Sequence, residues 1–361
     1  MHLSYSTKAL FTGNDWIHNV VIEIENGVVT SIDHNGFDTN KAIPLIVPAL
    51  IDLQLYGAEG KLLSEFPEKH TIEKIYQYCL KGGAAFFQPT IASQSNAVIY
   101  QSIDAVKAYK ASGGKGCIGL HIEGPWINLT KKGAHDKAVI HAPTIEEVSA
   151  ILTYGNEAIS MITLAPEICT PEIIEYIQAA GIIVAAGHTN ANYETAIQFF
   201  NDGIKTATHL FNAMSGLQHR APGVVGALFN HPTAMSSIVA DGYHVDFAAI
   251  QIAKKMMGER LFCITDAVTT TSTGLYQHQL VGDKYESAGT LSGSALTQLK
   301  SIQNLVQQVG LSIEEAVKMC SLYPAKLMQK ENINGMIEVH KNANLLLLSN
   351  ELTLIDMVVN N

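Results

Sequence analysis

The chain has 361 residues and a mass of 39.0 kDa, enough for one large domain with a smaller accessory part. Hydrophobic residues make up 47% of the sequence and charged residues 16%, which is typical of a compact globular protein with much buried strand. The formal net charge of −10 disfavours nucleic acid as a partner, because a phosphate backbone requires a basic surface. A small phosphorylated substrate, which needs only one or two cations, stays possible.

The cysteines and the apolar runs indicate a reducing compartment and no membrane span. The five cysteines are scattered and lie mostly inside apolar runs, which favours reduced core residues over a disulfide framework or a zinc ribbon. The first residues lack the charged and apolar regions of a secretion signal, and no apolar run is long enough to cross a bilayer. We therefore expect a cytoplasmic protein.

The first 46 residues have the alternating pattern of β structure. In VVIEIENGVVTSID, Asn26-Gly27 predicts a tight hairpin turn between two strands. The last residues, from GMIEVHKNANLLLLS onwards, have the same character. We predict one small β-sandwich domain built from both termini, residues 1–46 and 331–361. Two unrelated edge hairpins are the alternative.

The middle of the chain alternates between apolar strand-like runs and helical patterns. Helical patterns cover 71–81, 97–111, 145–155, 171–180, 192–202 and 295–309. The eight strand-like runs are 47–55, 84–90, 117–124, 160–167, 182–188, 206–212, 236–244 and 261–267. This pattern predicts a (β/α)8 TIM-like barrel over residues 47–330 as the metal-dependent catalytic domain. A doubly wound open sheet is the alternative, but its G-x-G-x-x-G fingerprint after the first strand is missing.

Acidic and histidine side chains stand at the carboxyl ends of five of these runs, where barrel enzymes carry their active sites. They are Glu123, His188, His209, His244 and Asp266. Catalytic zinc sites usually take three protein ligands from histidine nitrogens and carboxylate oxygens. Glu123, His188 and His209 supply such a set, and we predict that they bind a metal ion.

The remaining groups at these ends suit hydrolysis of an amide. A carboxylate at Asp266 can take a proton from water and pass it to a leaving amine. His135, after the Glu123 loop, can donate to a carbonyl oxygen as charge develops on it. Arg220, in the loop SGLQHRAPG, can bind phosphate through its planar guanidinium group.

Taken together, these motifs resemble the N-acetylglucosamine-6-phosphate deacetylase family of the amidohydrolase superfamily. The resemblance extends over essentially the whole chain and keeps the family's order and similar spacing. The segments that carry it are LHIEGPWINLTKKGAH, TLAPE, AGHTNA, ATHLFNAM, ADGYHVD, ITDA, GTLSGS and LYPAK.

The resemblance implies roles for individual residues. Glu123, His188 and His209 match the family's metal ligands, Asp266 its catalytic acid and base, and His135 the histidine that polarises the scissile amide. Substrate contacts fall on Ala134, Asn212, Ala213, Arg220, His244, Leu291, Ser292 and Gly293. In relatives the arginine and His244 serve the phosphate, with the arginine reaching across a dimer interface. A homodimer is therefore expected.

One departure from the superfamily's pattern concerns the first barrel strand. Most amidohydrolases end this strand with His-x-His, which holds a second metal, whereas this chain has Gln54-Leu55-Tyr56. Neutral Gln and Tyr are poor ligands. Strand four ends in TLAPE, without a lysine that could be carbamylated. We expect one divalent ion per subunit: zinc first, with iron, cobalt or manganese as alternatives.

The expected reaction is hydrolysis of N-acetylglucosamine 6-phosphate to glucosamine 6-phosphate and acetate. Another amidohydrolase-type deacetylase, a cyclic amidase, and a non-catalytic sugar-phosphate sensor on the same fold are the alternatives. Release of acetate in the presence of Zn²⁺ separates them.

Overall fold

The computed structural model describes residues 1–331 and 335–360. It divides into two compact units, of which the first comprises 1–52, 79–86 and 297–361 and the second 53–78 and 87–296. The boundaries predicted after residue 46 and before residue 331 stay a prediction.

The first unit contains a six-stranded sheet to which both ends of the chain contribute. From one edge to the other, its strands are Leu354–Val358, Leu345–Leu348, Ile43–Pro48, His2–Phe11, Trp16–Glu25 and Val28–Asp33. Asn26 and Gly27 have φ of 51° and 80°, the left-handed conformation that a tight hairpin turn requires, and they join two antiparallel strands as predicted. The β structure built from both termini is thus confirmed, in the form of one six-stranded sheet.

The core of this sheet joins residues that are far apart in the sequence. Leu10, Ile22, Ile46 and Leu345 belong to one buried cluster and are all at most 1% exposed. The same unit contains helices Gln298–Asn304, Ile313–Cys320 and Leu322–Leu327, and a π-helix at Leu305–Val309. The helix predicted over 295–309 therefore starts later, after a Thr297 side chain that accepts from Lys300 N, and changes its winding within its length.

The eight-stranded sheet has the sequential parallel order of a barrel. Its strands are Leu50–Leu55, Ala84–Ile91, Leu120–Glu123, Ile159–Leu164, Ile183–Ala186, Thr206–Ala207, Met235–Val239 and Leu261–Ile264. At the carboxyl end the eighth strand returns to the first. Asp266 N donates to Gln54 O at 2.9 Å and Tyr56 N donates to Ala267 O at 2.8 Å. The predicted TIM-like barrel is confirmed.

Helices follow most of the barrel strands, and all of them except the last two were predicted. They are Lys69–Lys81, Asn96–Ala111, Ile145–Gly155, Pro171–Ala179, Tyr193–Asn201, Gly223–Asn230 and Phe247–Met257. Local capping explains several starts: the Thr144 hydroxyl accepts from Glu147 N, and the Asn192 amide oxygen accepts from Thr195 N. Among the described residues, no helix is both long and apolar enough to cross a bilayer.

Two small antiparallel sheets were not predicted. One pairs Gly57–Ala58 with Lys61–Leu62, directly after the first barrel strand. The other has three short strands, Gln279–Val281, Lys284–Ser287 and Thr290–Ser294, after the eighth. The strand Gln279–Val281 is exposed throughout, so its sequence lacks the apolar alternation by which a half-buried strand is recognised.

Arg260 stabilises the end of the helix Gly223–Asn230. Its Nη1 donates to Leu228 O at 2.7 Å and to Ala234 O at 2.8 Å, and its Nη2 donates to Met256 O at 3.2 Å. The last carbonyls of a helix have no partner within the helix, so a cation that binds them there also interacts favourably with the helix dipole.

We expect Arg260→Met to lower the free energy of unfolding by about 2 kcal/mol, because it leaves these partly buried carbonyls without a charged donor. Denaturant titration followed by circular dichroism measures the change. Lys255→Met, on the exposed side of helix Phe247–Met257, is the matched control and should shift stability by less than about 0.5 kcal/mol. Equal losses in the two variants would contradict the assignment.

Candidate active site

A cavity of about 180 Å³ lies at the carboxyl ends of the barrel strands. Every site residue predicted from the sequence lines it except Arg220. Those that do are Glu123, Ala134, His135, His188, His209, Asn212, Ala213, His244, Asp266, Leu291, Ser292 and Gly293. The structure thus brings twelve of the thirteen predicted residues together, while their individual roles stay predictions.

Three of the strand-end residues have a left-handed backbone conformation. His188, His209 and Asp266 have φ of 47°, 37° and 56°. Non-glycine residues adopt this conformation at an energetic cost, and such residues concentrate at functional sites. The conformation turns the chain sharply as each strand ends.

The Glu123, His188 and His209 side chains meet through three acceptor atoms. His188 Nδ1 lies 2.8 Å from Lys131 O and His209 Nδ1 lies 3.2 Å from Asn212 O. Since a carbonyl oxygen only accepts, each Nδ1 carries the hydrogen and each Nε2 presents a lone pair. These Nε2 atoms lie 3.2 Å from one another, and 3.4 Å and 3.1 Å from Glu123 Oε1. Because three lone pairs cannot face one another unaided, a cation or a proton must lie among them, and the residues fit a divalent metal ion.

His135 has the opposite tautomer. Ser93 N donates to His135 Nδ1 at 3.2 Å, so Nδ1 is the acceptor and Nε2 carries the hydrogen. His135 Nε2 lies 3.3 Å from Glu123 Oε2. By distance alone, Glu123, His135 and His188 also form a group that could hold a metal ion. The tautomer favours a donor role for His135 and leaves His209 as the third ligand.

The electrostatics of the cluster agree with a cation site. Burial works against ionisation of Glu123, but its contacts with His135, His188 and His209 outweigh burial and hold the pKa of the carboxyl well below its usual range. Burial lowers the pKa of His188, and the neighbouring His135 ring adds to that effect. For His209, burial is outweighed by the contact with Glu123, which raises the pKa. A proton on His209 therefore competes with a metal ion, and metal affinity should fall as pH is lowered.

Asp266 is the second carboxylate of the cavity and differs from Glu123 in its environment. It is 8% exposed, and burial raises its pKa above the ordinary value despite the nearby His209 and His244. Two carboxyl groups whose pKa values are displaced in opposite directions suit different tasks. Glu123 stays ionised, as a ligand must, while Asp266 can accept and return a proton.

Gln54 and Tyr56, at the end of the first strand, contact both carboxylates. Gln54 Nε2 lies 3.1 Å from Glu123 Oε1 and 2.9 Å from Asp266 Oδ1. The Tyr56 hydroxyl donates to Glu123 Oε2. Burial, then the charges of Asp266 and Glu123, raises the pKa of Tyr56 well above its ordinary value, so the phenol stays protonated.

Among the described residues, no lysine or arginine lines the cavity. His244 Nδ1 pairs with Asp241 Oδ2 at 2.6 Å, which leaves Nε2 at 3.8 Å from Asp266 Oδ2. Burial lowers the pKa of His278 to about 4, so this imidazole is neutral at neutral pH. Arg220 is exposed and lies outside the cavity of its own chain.

Sequence reasoning missed several residues that shape the cavity, and three of them have polar contacts that matter for the site. Tyr276 and His278 line it, and Ser93 fixes the tautomer of His135. The Tyr276 hydroxyl donates to Ser93 O at 2.6 Å, and His278 Nδ1 lies 2.9 Å from Ser292 Oγ. All three stand in loops without periodicity. The available sequence signal for Tyr276 and His278 was the run YQH, in which one residue separates two ring side chains in a loop otherwise rich in Gly and Thr.

Comparison with known proteins gives a consistent family relationship. Residues 45–360 match the model of the amidohydrolase family. The N-acetylglucosamine-6-phosphate deacetylase of Haemophilus influenzae is 32% identical, over 94% of this chain and 89% of its own length. The N-acetylgalactosamine-6-phosphate deacetylase of a Shewanella species is 30% identical, over 94% of this chain and 90% of its own.

A solved structure extends the likeness to the whole fold. The crystal structure of N-acetylglucosamine-6-phosphate deacetylase from Pasteurella multocida superimposes with a TM-score of 0.93 at 30% identity. The match covers 100% of this chain and 99% of that one.

We expect one tightly held divalent ion per chain, because Gln54 and Tyr56 offer no second ligand set. Elemental analysis of protein purified without added metal should give about one equivalent. Glu123→Gln and His209→Asn should each retain less than about a tenth of it, since each removes one of three ligands.

The matched control is His231→Asn, a buried histidine that lies outside the cavity and accepts from Ala234 N at 2.9 Å. It should keep the full metal content. Two tightly held ions in the wild type would contradict the prediction.

Proposed function

The chain belongs to the amidohydrolase family and is a hydrolase, and we propose that it removes the acetyl group from N-acetylglucosamine 6-phosphate. The products are acetate and glucosamine 6-phosphate. The observation that carries the proposal is the presence, in one buried cavity, of a Glu/His/His ligand set, a second carboxylate with a raised pKa and a histidine donor. Acetate release from the phosphorylated sugar is the direct test.

The proposed metal ligands are Glu123 Oε1, His188 Nε2 and His209 Nε2, and zinc is the proposed ion. When bound, such an ion supplies Lewis-acid chemistry, which lowers the pKa of water and polarises a carbonyl group. Support comes from the two Nδ1–H···O contacts, which leave both Nε2 lone pairs available.

Asp266 is proposed as the proton carrier. It takes a proton from the attacking water and gives it to the amine nitrogen as the amide C–N bond breaks, so that it ends the cycle ionised. His135 Nε2–H is proposed to donate to the acetyl oxygen as negative charge develops on it. The tautomer set by Ser93 supports this role, because it places the hydrogen on the nitrogen nearest to Glu123.

Recognition of the sugar is proposed to come from the rest of the cavity wall. Ala134, Asn212, Ala213 and the segment 291–293 line the cavity beside the acid and the ligands. His244 is proposed to contact the phosphate end. Because the curated relatives include both glucosamine and galactosamine deacetylases, the two phosphorylated sugars should be assayed side by side.

The phosphate needs a permanent cation, and none lines the cavity among the residues that the structure describes. Arg220 is exposed in the loop after strand six, and we assign it to the active site of a second subunit in a homodimer. The net charge of −10 makes a local cation more necessary, since the overall field repels an anionic substrate.

Two alternatives have less support. The expected cyclic-amidase pattern of His-x-His with a bridging lysine is replaced by Gln54-Leu55-Tyr56 and TLAPE. A non-catalytic sugar-phosphate sensor would have no need of Asp266 beside an intact ligand set. A cytoplasmic location stays a prediction.

We expect Asp266→Asn to keep its metal and lose roughly 10²–10⁴-fold in kcat, because the amide is nearly isosteric with the carboxylate but does not carry a proton. Acetate release and metal content are measured on the same sample. Asp246→Asn is the matched control, because Asn also caps the helix that Asp246 begins. Near-normal turnover of Asp266→Asn would assign the proton transfer to another residue.

Arg220→Ala should lower kcat/KM for the phosphorylated sugar by roughly 10- to 100-fold, the loss expected for a charge-assisted hydrogen bond. Unphosphorylated N-acetylglucosamine should be affected less than about twofold. Lys255→Ala, which makes the same change in net charge at an exposed position, controls for the overall field. An equal loss on both sugars would make Arg220 a structural residue.

Mixed dimers test the cross-subunit assignment. A hybrid of Asp266→Asn and Arg220→Ala subunits has one site with an intact acid from one chain and an intact arginine from the other. Mixing the two impaired proteins under conditions of subunit exchange should therefore raise the kcat/KM for the phosphorylated sugar above that of either protein alone. No recovery in verified hybrids would place Arg220 in the site of its own chain.

A further inference from the structure

The end of the first barrel strand enters the active-site cavity with two side chains that neither bind the proposed ion nor carry the proton. Gln54 is 2% exposed, and Tyr56 lines the cavity. Gln54 Nε2 lies 2.7 Å from the Tyr56 hydroxyl, so the two form a pair. The pair lies between Glu123 and Asp266.

The hydrogens of this pair point to the acceptor oxygens of both carboxylates. The Gln54 amide carries two hydrogens on Nε2 and the Tyr56 phenol carries one. Three carboxylate oxygens are close enough to accept these hydrogens. Gln54 Nε2 lies 3.1 Å from Glu123 Oε1 and 2.9 Å from Asp266 Oδ1, and the Tyr56 hydroxyl donates to Glu123 Oε2. The Tyr56 hydroxyl oxygen, 2.7 Å from Gln54 Nε2, is a further acceptor, so the two amide hydrogens are shared among three oxygens. Both oxygens of Glu123 are contacted by the pair.

Two buried carboxylates that share one amide nitrogen as donor would repel each other if both were ionised. A neutral donor pair holds them together without adding a charge that could neutralise either one. A hydrogen bond to Asp266 Oδ1 also distinguishes the two oxygens of that carboxyl group. Its Oδ2 lies 3.8 Å from His244 Nε2, on the side of the cavity wall formed by His244.

We propose that Gln54 and Tyr56 are positioning residues, which fix the rotation of the Glu123 and Asp266 carboxyl groups and leave Asp266 Oδ2 as the oxygen that exchanges the proton. Glu123 is thereby oriented with Oε1 towards His188 and His209. The part of this inference that concerns turnover rests on the proposed function. The part that concerns metal affinity rests only on the proposed metal ligands and is independent of the proposed substrate.

The test uses two variants. Tyr56→Phe removes the phenol hydroxyl and keeps the ring, and Gln54→Met removes both amide hydrogens and keeps the length of the side chain. Zinc affinity is measured without substrate, by competition with a chromogenic chelator. Loss of a residue that orients a ligand typically costs 10- to 100-fold, so the zinc dissociation constant of Tyr56→Phe should rise about tenfold. Gln54→Met should lose roughly 10- to 100-fold in kcat with KM within about twofold of wild type.

Tyr109→Phe is the matched control, because it also removes a buried tyrosine hydroxyl, one that donates to Lys115 O at 2.7 Å outside the cavity. Its zinc affinity and kcat should equal those of the wild type. Wild-type zinc affinity in both Tyr56→Phe and Gln54→Met would overturn the proposal, as would an equal loss in Tyr109→Phe. If Gln54→Met does not fold, the zinc affinity of Tyr56→Phe decides alone.

The outcome is separable from that of the proposed function. If the wild type releases no acetate from either phosphorylated sugar, the proposed substrate is refuted. Weaker zinc binding by the two variants would still support the positioning role in that case. A higher KM with an unchanged kcat would refute the positioning role, because it would make the pair a substrate contact.

Discussion

The burial of one carboxylate, that of Glu123, is the constraint on which the rest of the site depends. At 1% exposure, this anion has lost nearly all of its hydration, which costs several kcal/mol unless other groups replace it. Donors from Gln54, Tyr56 and His135 replace part of the lost water, and a cation or proton between Oε1 and the two imidazoles replaces the rest. These partners come from different barrel strands and loops. The carboxylate is therefore stable only when the barrel has closed around it.

Closure of the barrel also explains how strained residues are tolerated. His188, His209 and Asp266 keep positive φ values because hydrogen bonds on both sides determine their position. His209 N donates to Ser237 Oγ on the next strand at 2.8 Å, and Asp266 N donates to the first strand. The strain is thus carried by strand ends that are hydrogen-bonded to neighbouring strands, and these bonds hold the ligands independently of an ion. Such preorganisation is what a metal site requires for affinity and for correct geometry.

The parts of the molecule that could be predicted from the sequence are those with a regular physical signature. Apolar runs ending in Glu123, His188 and Asp266 predict both the barrel and the meeting of these side chains, because parallel strands end at one face. Tyr276 and His278 reach the cavity through a loop without periodicity, so only the short run YQH marks them. The contacts of Gln54 were equally hidden, since its identity indicates only that it is a poor ligand. For Arg220, the family resemblance predicts a role in phosphate binding, whereas in a single chain this residue lies outside the cavity.

The six-stranded sheet has a consequence for biosynthesis. Ile43–Pro48 pairs on one side with His2–Phe11 and on the other with Leu345–Leu348, which is translated about 300 residues later. At 5–20 residues per second, the N-terminal strands therefore wait roughly 15–60 s for their last partners. During that time the apolar face around Leu10, Ile22 and Ile46 lacks the cover that the last strands provide. Completion of this sheet is thus a late, non-local step in which a chaperone has time to act.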